Sequence, residues 1–226
     1  FAYDMNVACS SATFALQMAE SLIKAKHAKG VLIINSEICS AHLNYRDRDS
    51  HFIFGDVATA MIVQEASLVK SLHAYRIASS KLFTQFSNNI RNNAGFMNYL
   101  TEGAAQLSDK FFYQNGRKVF KEVITEVLVH LRGHLESQGM MPEQFSRLWL
   151  HQANVSMNRL ISTKLMAREL SNDEAPIILD RFANTASAGS VIAFHLHHES
   201  LKSGDYGLLC SFGAGYSIGS LILQKR

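Results

Sequence analysis

Apolar residues recur at every third or fourth position in four stretches of the chain, the spacing expected of helices that bury one face. The first stretch begins at Ala12 and runs toward Gly30. The second is the longest and runs from a candidate N-cap at Asn115 to Gly139. The other two follow polar motifs at 151–154 and 184–187. The predicted apolar face of the long helix comprises Val119, Phe120, Val123, Ile124, Val127, Leu128, Leu131 and Leu135.

Short continuous apolar runs separate these helices and are typical of strands buried on both faces. Polar stretches at 36–52 and 79–109 are predicted to be surface segments, the second a cover for a substrate. Because helices alternate with apolar strands, the sequence predicts an α/β fold with largely parallel or mixed pairing. The predicted strands are Phe1 to Val7, Val31 to Ile34, Val57 to Val63, Leu68 to Ile77, Leu148 to Leu150, Ile177 to Leu179, Tyr206 to Ser211 and a last strand ending at Leu223.

Two segments share a pattern of Asp, Ala, a polar residue and then small residues that lead into a helix. One is 4–12, with Cys9 as the polar residue, and the other is 180–188, with Asn184. In each copy a strand begins about 22 residues later, and a strand opened by Phe-Gly follows. This pattern predicts two related halves, 1–65 and 66–226. If the halves are equal in length, roughly 96 residues of the first half are missing ahead of Phe1.

Composition and charge narrow the range of functions. The net charge of +3 and the pI of about 8.8 are too mild to indicate nucleic-acid binding, and the ten histidines form no metal-ligand pattern. The chain has no run of about 18 apolar residues, so no membrane span is predicted. Three cysteines, Cys9, Cys39 and Cys210, are an odd number at no recurring spacing, which favours a reducing compartment and a cytoplasmic location.

Three residues of catalytic type, Cys9, His151 and Asn184, each follow a predicted strand and precede a predicted helix. Open α/β sheets bind ligands at that edge. A cysteine at a helix N-terminus is predicted to have a lowered pKa, because unpaired backbone N–H groups and the helix dipole stabilise its thiolate. The alternative for Cys9 is a buried structural cysteine, but its equivalence to Asn184 in the repeat favours a nucleophile. Cys39 and Cys210 lack that support and are interpreted as structural.

At these residues the chain resembles the β-ketoacyl-acyl-carrier-protein synthase III family of the thiolase superfamily, over essentially its whole length. The family begins about a hundred residues before its cysteine, in agreement with the length inferred from the repeat. Segments 44–52 and 87–93 are most similar to the subgroup that extends medium-chain acyl-CoA. The shared motifs are the Cys9 turn, Phe54-Gly55-Asp56, His151-Gln152-Ala153-Asn154, Asn184-Thr185-Ala186-Ser187 and Phe212-Gly213-Ala214-Gly215.

The resemblance implies a thiolase-like fold of two α-β-α-β-α halves and a decarboxylative Claisen condensation. Cys9 would attack an acyl-CoA and carry the acyl group. His151 and Asn184 would donate hydrogen bonds to the enolate formed from malonyl-acyl-carrier protein. The backbone N–H groups of Cys9 and Ala214 would form a second oxyanion hole. No cofactor beyond the CoA thioester substrate is implied.

The same resemblance implies binding contacts and a homodimer. Arg48 would stack on the CoA adenine, the alternative being a solvated arginine, and Phe212 would line the substrate site. The dimer would form by pairing of the strand Phe1 to Val7 with its own copy. The acidic carrier would dock on basic residues of the helix after His151, where Ser156 stands near the position at which the family often has arginine. The candidate docking residues are Arg159, Lys164 and Arg168.

Three alternatives remain beside this interpretation. A degradative thiolase would need a second cysteine immediately before the closing glycine-rich turn, where Ser211 and Phe212 stand and Cys210 is displaced. A Cys-His-Asn hydrolase does not suit two repeated α/β halves. A catalytically silent partner subunit is the main non-enzyme alternative, and the intact catalytic residues weigh against it.

Overall fold

The structure is a computed structural model that describes residues 1–93 and 107–226. Both helices and strands occur in these two ranges, and residues 94–106 of the predicted surface segment lie outside them. The helices are α1 Ser11–Lys24, α2 Gly116–Ser137, α3 Val155–Met166, α4 Leu179–Phe182 and α5 Ala188–Leu196. The strands are β1 Gly30–Ile38, β2 Asp56–Gln64, β3 Tyr75–Ser87, β4 Ile90–Arg91, β5 Tyr113–Gln114, β6 Phe145–Leu150, β7 Tyr206–Gly213 and β8 Gly215–Lys225.

A four-stranded sheet in the order β3-β8-β7-β6 forms the centre of the fold. β6 and β7 are parallel, whereas β8 pairs antiparallel with β7 and with β3. Helices α2 and α3 cover one face of this sheet, and α1 and α5 cover the other. Along β6, Leu148 and Leu150 pack on the first side and Trp149 on the second, as the alternation of a strand requires. The sheet is therefore mixed, which confirms the predicted α/β fold with mixed pairing, although only one of the three strand pairs described in this sheet is parallel.

A second sheet consists of β1 and β2, paired antiparallel with Leu32 opposite Ile62. One face packs against α1 and α5, with Ile33 buried there. Leu32, Ile34 and Ile62 point away from that face and are exposed. The prediction that 57–63 is buried on both sides is therefore wrong, because this sheet has a helical neighbour on only one side among the described residues.

The long helix was the most accurately predicted element. Asn115 is its N-cap, and its side-chain oxygen accepts a hydrogen bond from the Lys118 backbone N–H at 3.4 Å. All but one of the predicted apolar positions are buried, and Phe120 is half-buried. The apolar stripe packs on the central sheet and α3.

Several predicted boundaries are wrong. The first helix ends at Lys24 with an Ala25 cap, six residues before Gly30, and α5 ends at Leu196 instead of continuing toward Lys202. Residues 68–74 are not a strand, and 79–87 belong to β3 instead of a polar loop. Residues 177–178 form no strand with the described residues, Ile178 having a φ of −121° and a ψ of 9°, and α4 begins at Leu179.

The predicted strand Phe1 to Val7 is not formed in the single chain. Phe1 is 91% exposed and Tyr3 is 58% exposed. A strand needs a neighbour that takes up its backbone hydrogen bonds, and no described strand lies beside this segment. The proposed division into halves at 65 and 66 stays a prediction.

Within 1–93 and 107–226, no helix combines the length and the apolar character that crossing a bilayer requires. The same residues contain no cluster of three or more His, Cys, Asp or Glu side chains arranged to hold a metal ion.

Candidate active site

Cys9 lies in a tight turn that leads into α1. Backbone hydrogen bonds from Ser10 N to Val7 O and from Ser11 N to Ala8 O, both 3.1 Å long, close the turn. Ala8, immediately before the cysteine, has a φ of 47°, the left-handed conformation that non-glycine residues seldom adopt. The buried Ser10 hydroxyl donates to the Ser217 carbonyl at 2.6 Å and ties the turn to β8.

The turn between β7 and β8 also packs against Cys9. A Cβ placed on Gly213 would lie 2.5 Å from the Cys9 Cβ and 3.1 Å from its Sγ, so glycine is required for this close approach. The backbone N–H groups of Cys9 and Ala214 act on the thiol and lower its pKa. The two backbone groups that were predicted to form an oxyanion hole therefore both act on the Cys9 thiol, and their role as an oxyanion hole stays a prediction.

Burial nevertheless dominates the ionisation of Cys9 and raises the pKa of its thiol to about 12. The Glu37 carboxylate raises that pKa further, and the two backbone donors only partly offset these effects. The prediction of a lowered Cys9 pKa is therefore wrong in this structure. The sequence pattern identified the helix that follows Cys9 but carried no information about the carboxylate from β1 that faces it.

His151 is the first residue after β6, where its backbone N–H donates to the Cys210 carbonyl at 2.8 Å. The side chain is only 2% exposed, and its ring packs edge-on against Phe212 at 5.0 Å. Burial lowers the His151 pKa to about 4, although the Ala186 backbone raises it slightly. The imidazole is therefore neutral at pH 7, a form that can donate one hydrogen bond without carrying charge.

Asn184 is held by its backbone. Its N–H donates to the Ile53 carbonyl at 3.0 Å, and its carbonyl accepts from Gly55 N at 3.0 Å. A Cβ on Gly55 would lie 2.2 Å from the Phe182 carbonyl oxygen, which explains the glycine of the Phe54-Gly55-Asp56 motif. These contacts fix the Asn184 turn on the segment that enters β2.

The Asn184 side chain is oriented by its own turn. Its Oδ1 accepts from the Ala186 backbone N–H at 3.0 Å, and its Nδ2 has no hydrogen-bond partner within the described ranges. The same Ala186 backbone acts on the His151 ring. His151 and Asn184 thus both lie against Ala186, and the Asn184 Nδ2 is available as a donor to a ligand. The Cys9 turn and the Asn184 turn are linked through Glu37, whose charge acts on the Cys9 thiol and whose carboxylate accepts a hydrogen bond from Ser187.

Among the predicted binding residues, Phe212 differs from its expected role. It is only 2% exposed and is a core residue that supports the His151 ring. Arg48 lies exposed in the loop between β1 and β2 and makes no hydrogen bond or ion pair with the described residues. Its side chain is free to contact a ligand.

The three candidate docking residues do not share one helix. Arg159 and Lys164 are exposed on α3, but the helix ends at Met166, with the cap residue Ala167 at a φ of 54°. Arg168 lies beyond that cap, where its guanidinium forms an ion pair with Glu174. The prediction by helical spacing is therefore wrong for Arg168, whose charge is already partnered.

Two supporting residues escaped the sequence reasoning. Gln152 is fully buried, and its side chain bonds to the Leu150 and Pro176 carbonyls and to Ile178 N at 2.9 to 3.1 Å. It therefore fixes the chain after His151 to the segment before α4. Glu37 binds Ser187 across 150 positions of sequence. Gln152 could have been suspected from its place in the histidine motif, whereas Glu37 had no local signal.

Comparison with known proteins agrees with this geometry. The family model for 3-oxoacyl-(acyl-carrier-protein) synthase III matches residues 3–85, and the model for its C-terminal part matches residues 135–225. The β-ketodecanoyl-(acyl-carrier-protein) synthase of Pseudomonas aeruginosa is 55% identical over 226 residues, covering 100% of this chain and 65% of that protein. A β-ketoacyl-(acyl-carrier-protein) synthase III of Lactiplantibacillus plantarum is 30% identical over 227 residues, covering 100% and 68%.

Solved structures give the same result. The synthase III of Thermus thermophilus has a TM-score of 0.84 at 25% identity, covering 99% of this chain and 68% of that one. The synthase III of Aquifex aeolicus has a TM-score of 0.80 at 27% identity, covering 99% and 67%. This chain spans about two thirds of the length of the curated relatives it matches. The chain belongs to the 3-oxoacyl-(acyl-carrier-protein) synthase III family and has its thiolase-like fold.

Proposed function

We propose that this protein is an acyltransferase that condenses an acyl-CoA with malonyl-acyl-carrier protein, with loss of carbon dioxide, in fatty acid biosynthesis. The observation that carries the proposal is the presence of two sets of candidate oxyanion donors, one at Cys9 and one at Ala186, which Glu37 links through Ser187. The Cys9 thiol is faced by the backbone N–H groups of Cys9 and Ala214. The neutral imidazole of His151 and the unpaired amide nitrogen of Asn184 meet at Ala186 in the same site.

In the first step the Cys9 sulfur attacks the carbonyl carbon of the acyl-CoA thioester. The negative charge that develops on the thioester oxygen is stabilised by the backbone N–H groups of Cys9 and Ala214. The carbon–sulfur bond to CoA then breaks, and the proton of the Cys9 thiol leaves with the CoA sulfur. The acyl group is now a thioester of Cys9.

In the second step malonyl-carrier loses its carboxylate as carbon dioxide, and the bonding electrons form an enolate. His151 and Asn184 donate hydrogen bonds to the enolate oxygen, and a neutral histidine suits this role because it stays a donor without an added charge. The enolate carbon attacks the acyl-Cys9 carbonyl. The bond to the Cys9 sulfur breaks, so the free thiolate and a β-ketoacyl-carrier product result.

The preferred acyl group is proposed to be of medium length. The relative from Pseudomonas aeruginosa is named for a β-ketodecanoyl product. Ten carbons in the product and two from decarboxylated malonyl leave an eight-carbon acyl donor, so octanoyl-CoA is the proposed substrate. The free side chain of Arg48 is proposed to stack on the CoA adenine, a cation–π contact worth about 1 kcal/mol at an exposed site.

The proposed partners follow from exposed features. Arg159 and Lys164 on α3 are exposed cations and are proposed to contact the acidic carrier. The backbone of Phe1 to Asn6 makes no hydrogen bond with the described residues, and the rings of Phe1 and Tyr3 are exposed, which suits pairing of this segment with a second copy in a homodimer. Light scattering of the intact protein that gave a monomer mass would contradict the dimer. The cytoplasmic location expected from the cysteines stays a proposal.

A degradative thiolase activity has less support. Cys210 is fully buried in β7, where burial raises its pKa far above the ordinary value. A thiol in that position cannot reach a substrate. A silent partner subunit stays the non-enzyme alternative, and it predicts no covalent acyl group on Cys9.

The direct test exposes the intact protein to acyl-CoAs of graded chain length and records its mass. The proposed function predicts a mass increase of one acyl group on the peptide that contains Cys9, fastest with octanoyl-CoA. Adding malonyl-carrier should discharge that group with release of carbon dioxide. Discharge by water without malonyl-carrier would indicate a hydrolase, and no acylation at any length would indicate a silent subunit.

A further inference from the structure

A carboxylate that the proposed mechanism does not use lies between the two catalytic turns. Glu37 is a half-buried residue of β1, near the end of that strand. Its Oε1 accepts a hydrogen bond from the Ser187 backbone N–H at 3.1 Å and a second, short one from the Ser187 hydroxyl. Its Oε2 accepts from the Cys39 thiol at 3.6 Å. One acidic side chain thus binds the last residue of the Asn184 turn.

Ser187 is held from two positions on the same strand. Besides its bonds to Glu37, its hydroxyl accepts from the Asn35 Nδ2 at 2.7 Å. Ser187 is almost fully buried and is the N-cap residue of α5. Because Asn35 and Glu37 are two residues apart on β1, both side chains leave the same face of the strand. The two side chains on this face therefore hold the N-terminal end of α5 in place.

The turn that Ser187 closes needs such a clamp. Ala183 has a φ of 55° and Ala186 a φ of 46°, so residues on both sides of Asn184 are in the left-handed region. Upstream, the backbone bonds of Asn184 to Ile53 and Gly55 hold the turn. Downstream, the described contacts that hold it to β1 are those of Ser187. Loss of the Glu37 bonds would leave the Asn35 bond as the remaining described contact that holds to β1 the end of the turn that contains Ala186.

Glu37 also faces the nucleophile. Its charge acts on Cys9 and on Cys39, and the other groups that act on Cys9 are the backbone donors of Cys9 and Ala214. Asp56, at the start of β2, acts on Cys39 as well. Among the described residues, Glu37 is therefore an acidic residue with two effects. It contacts the Asn184 turn, and its charge acts on the Cys9 thiol.

We propose that Glu37 is a positioning residue of the condensation, whose carboxylate holds the Asn184 donor in place through its hydrogen bonds to Ser187. The proposal rests on the proposed function for its catalytic part. The Glu37 side chain has two properties that can be separated by mutation, its hydrogen bonds and its negative charge. The hydrogen bonds position the donor used in decarboxylation, and the negative charge disfavours the thiolate.

Two variants of the intact protein separate these properties. In Glu37→Gln the amide oxygen can still accept from Ser187, but the charge is lost. In Glu37→Ala both are lost. Glu65→Gln is the matched control, because Glu65 is exposed at the end of β2 and its side chain has no partner among the described residues. Thermal melts of all three first establish that each variant is folded.

The first measurement is the rate of malonyl-carrier decarboxylation by protein whose Cys9 is already acylated. Glu37→Ala should lower kcat about tenfold or more, with KM changed by less than about twofold, because the donor is misplaced while the carrier contacts remain. Glu37→Gln should retain a rate within about threefold of the wild type. A wild-type kcat in Glu37→Ala would overturn the positioning role, as would a loss in Glu37→Gln equal to that in Glu37→Ala.

The second measurement needs no substrate. The rate at which iodoacetamide alkylates Cys9 is followed by peptide mass spectrometry from pH 6 to pH 10. Both Glu37 variants should react at a pH lower by roughly half a unit or more, because a like charge beside the thiolate has been removed. Unchanged alkylation in both variants would overturn the electrostatic role. If the wild-type protein neither became acylated by acyl-CoA nor decarboxylated malonyl-carrier, the proposed function would be wrong. The alkylation rates would still test the electrostatic effect of Glu37 on Cys9.

Discussion

The turns that carry Cys9 and Asn184 share a sequence pattern and a backbone feature but have opposite surroundings. Ala8 and Ala183, the residues immediately before them, both have a positive φ, of 47° and 55°. The Asn184 turn is buried and held on both sides, by the segment before β2 and by Ser187. The Cys9 turn follows an exposed segment and is held by Ser10 and the close approach of Gly213. The repeated pattern therefore sets the backbone, whereas the neighbouring elements determine the chemistry of each turn.

Removing the nucleophile from the Cys9 turn should cause the largest loss of activity. Cys9→Ala should abolish acylation by acyl-CoA, because no other described cysteine is placed to receive the acyl group. The variant keeps His151 and Asn184 and should still release carbon dioxide slowly from malonyl-carrier without forming a β-ketoacyl product. Mass spectrometry and a carbon dioxide assay measure the two steps. An acyl group found on Cys9→Ala protein would place the nucleophile elsewhere.

The two turns should also respond differently to pH. The Cys9 pKa is raised to about 12, so its thiolate fraction increases about tenfold per unit as pH rises, and acylation should accelerate about a hundredfold from pH 7 to pH 9. The His151 pKa is lowered to about 4, so the imidazole is already neutral at pH 6 and decarboxylation by acylated protein should stay constant over that range. Quenched-flow rates at each pH measure both steps. An acylation rate that did not change with pH would contradict the raised pKa of the Cys9 nucleophile.

The long helix could be predicted because its signals are local. Asn115 caps the backbone N–H of a residue three positions away, and its apolar stripe has a helical period. The Glu37–Ser187 contact joins residues 150 positions apart, so no spacing in the sequence reveals it. Residues 177–178 have the composition of a strand, yet Ile178 N is bound by the side chain of Gln152 instead of a neighbouring strand. The candidate catalytic residues were identified from their motifs, while the raised Cys9 pKa arises from tertiary contacts.

Glycine substitutions test the packing of each turn separately. A Cβ on Gly213 would meet the Cys9 Cβ at 2.5 Å, and one on Gly55 would meet the Phe182 carbonyl at 2.2 Å. Gly213→Ala and Gly55→Ala should each lower the free energy of unfolding by about 1 to 3 kcal/mol. Gly213→Ala should slow acylation more, and Gly55→Ala should slow decarboxylation more.

Gly116→Ala is the matched control for these variants, because a Cβ there meets nothing within 4 Å and the site lies in the first turn of α2. It should keep or raise the melting temperature. Equal losses of both partial reactions in Gly213→Ala and Gly55→Ala would show that the two turns do not act separately.

The smallest effects are expected at the carrier surface. Arg159→Ala and Lys164→Ala should each raise the KM for malonyl-carrier by up to about fivefold, because an exposed charge pair contributes at most about 1 kcal/mol. Arg168→Ala should change that KM less, since its charge is paired with Glu174. Steady-state kinetics at low salt measure these differences. A larger increase in KM for Arg168→Ala than for Arg159→Ala would contradict the proposed docking of the carrier on α3.

The central claim is that Cys9 carries the acyl group while Asn184, with His151, drives decarboxylation. It is tested most directly by the amount of acyl-Cys9 present during turnover of Asn184→Ala with octanoyl-CoA and malonyl-carrier. Loss of one oxyanion donor costs about 3 to 4 kcal/mol, so condensation should slow on the order of a hundredfold to a thousandfold while acylation continues. Mass spectrometry should then find nearly all of the protein acylated. Turnover at the wild-type rate, or slow turnover with Cys9 left unacylated, would contradict the account.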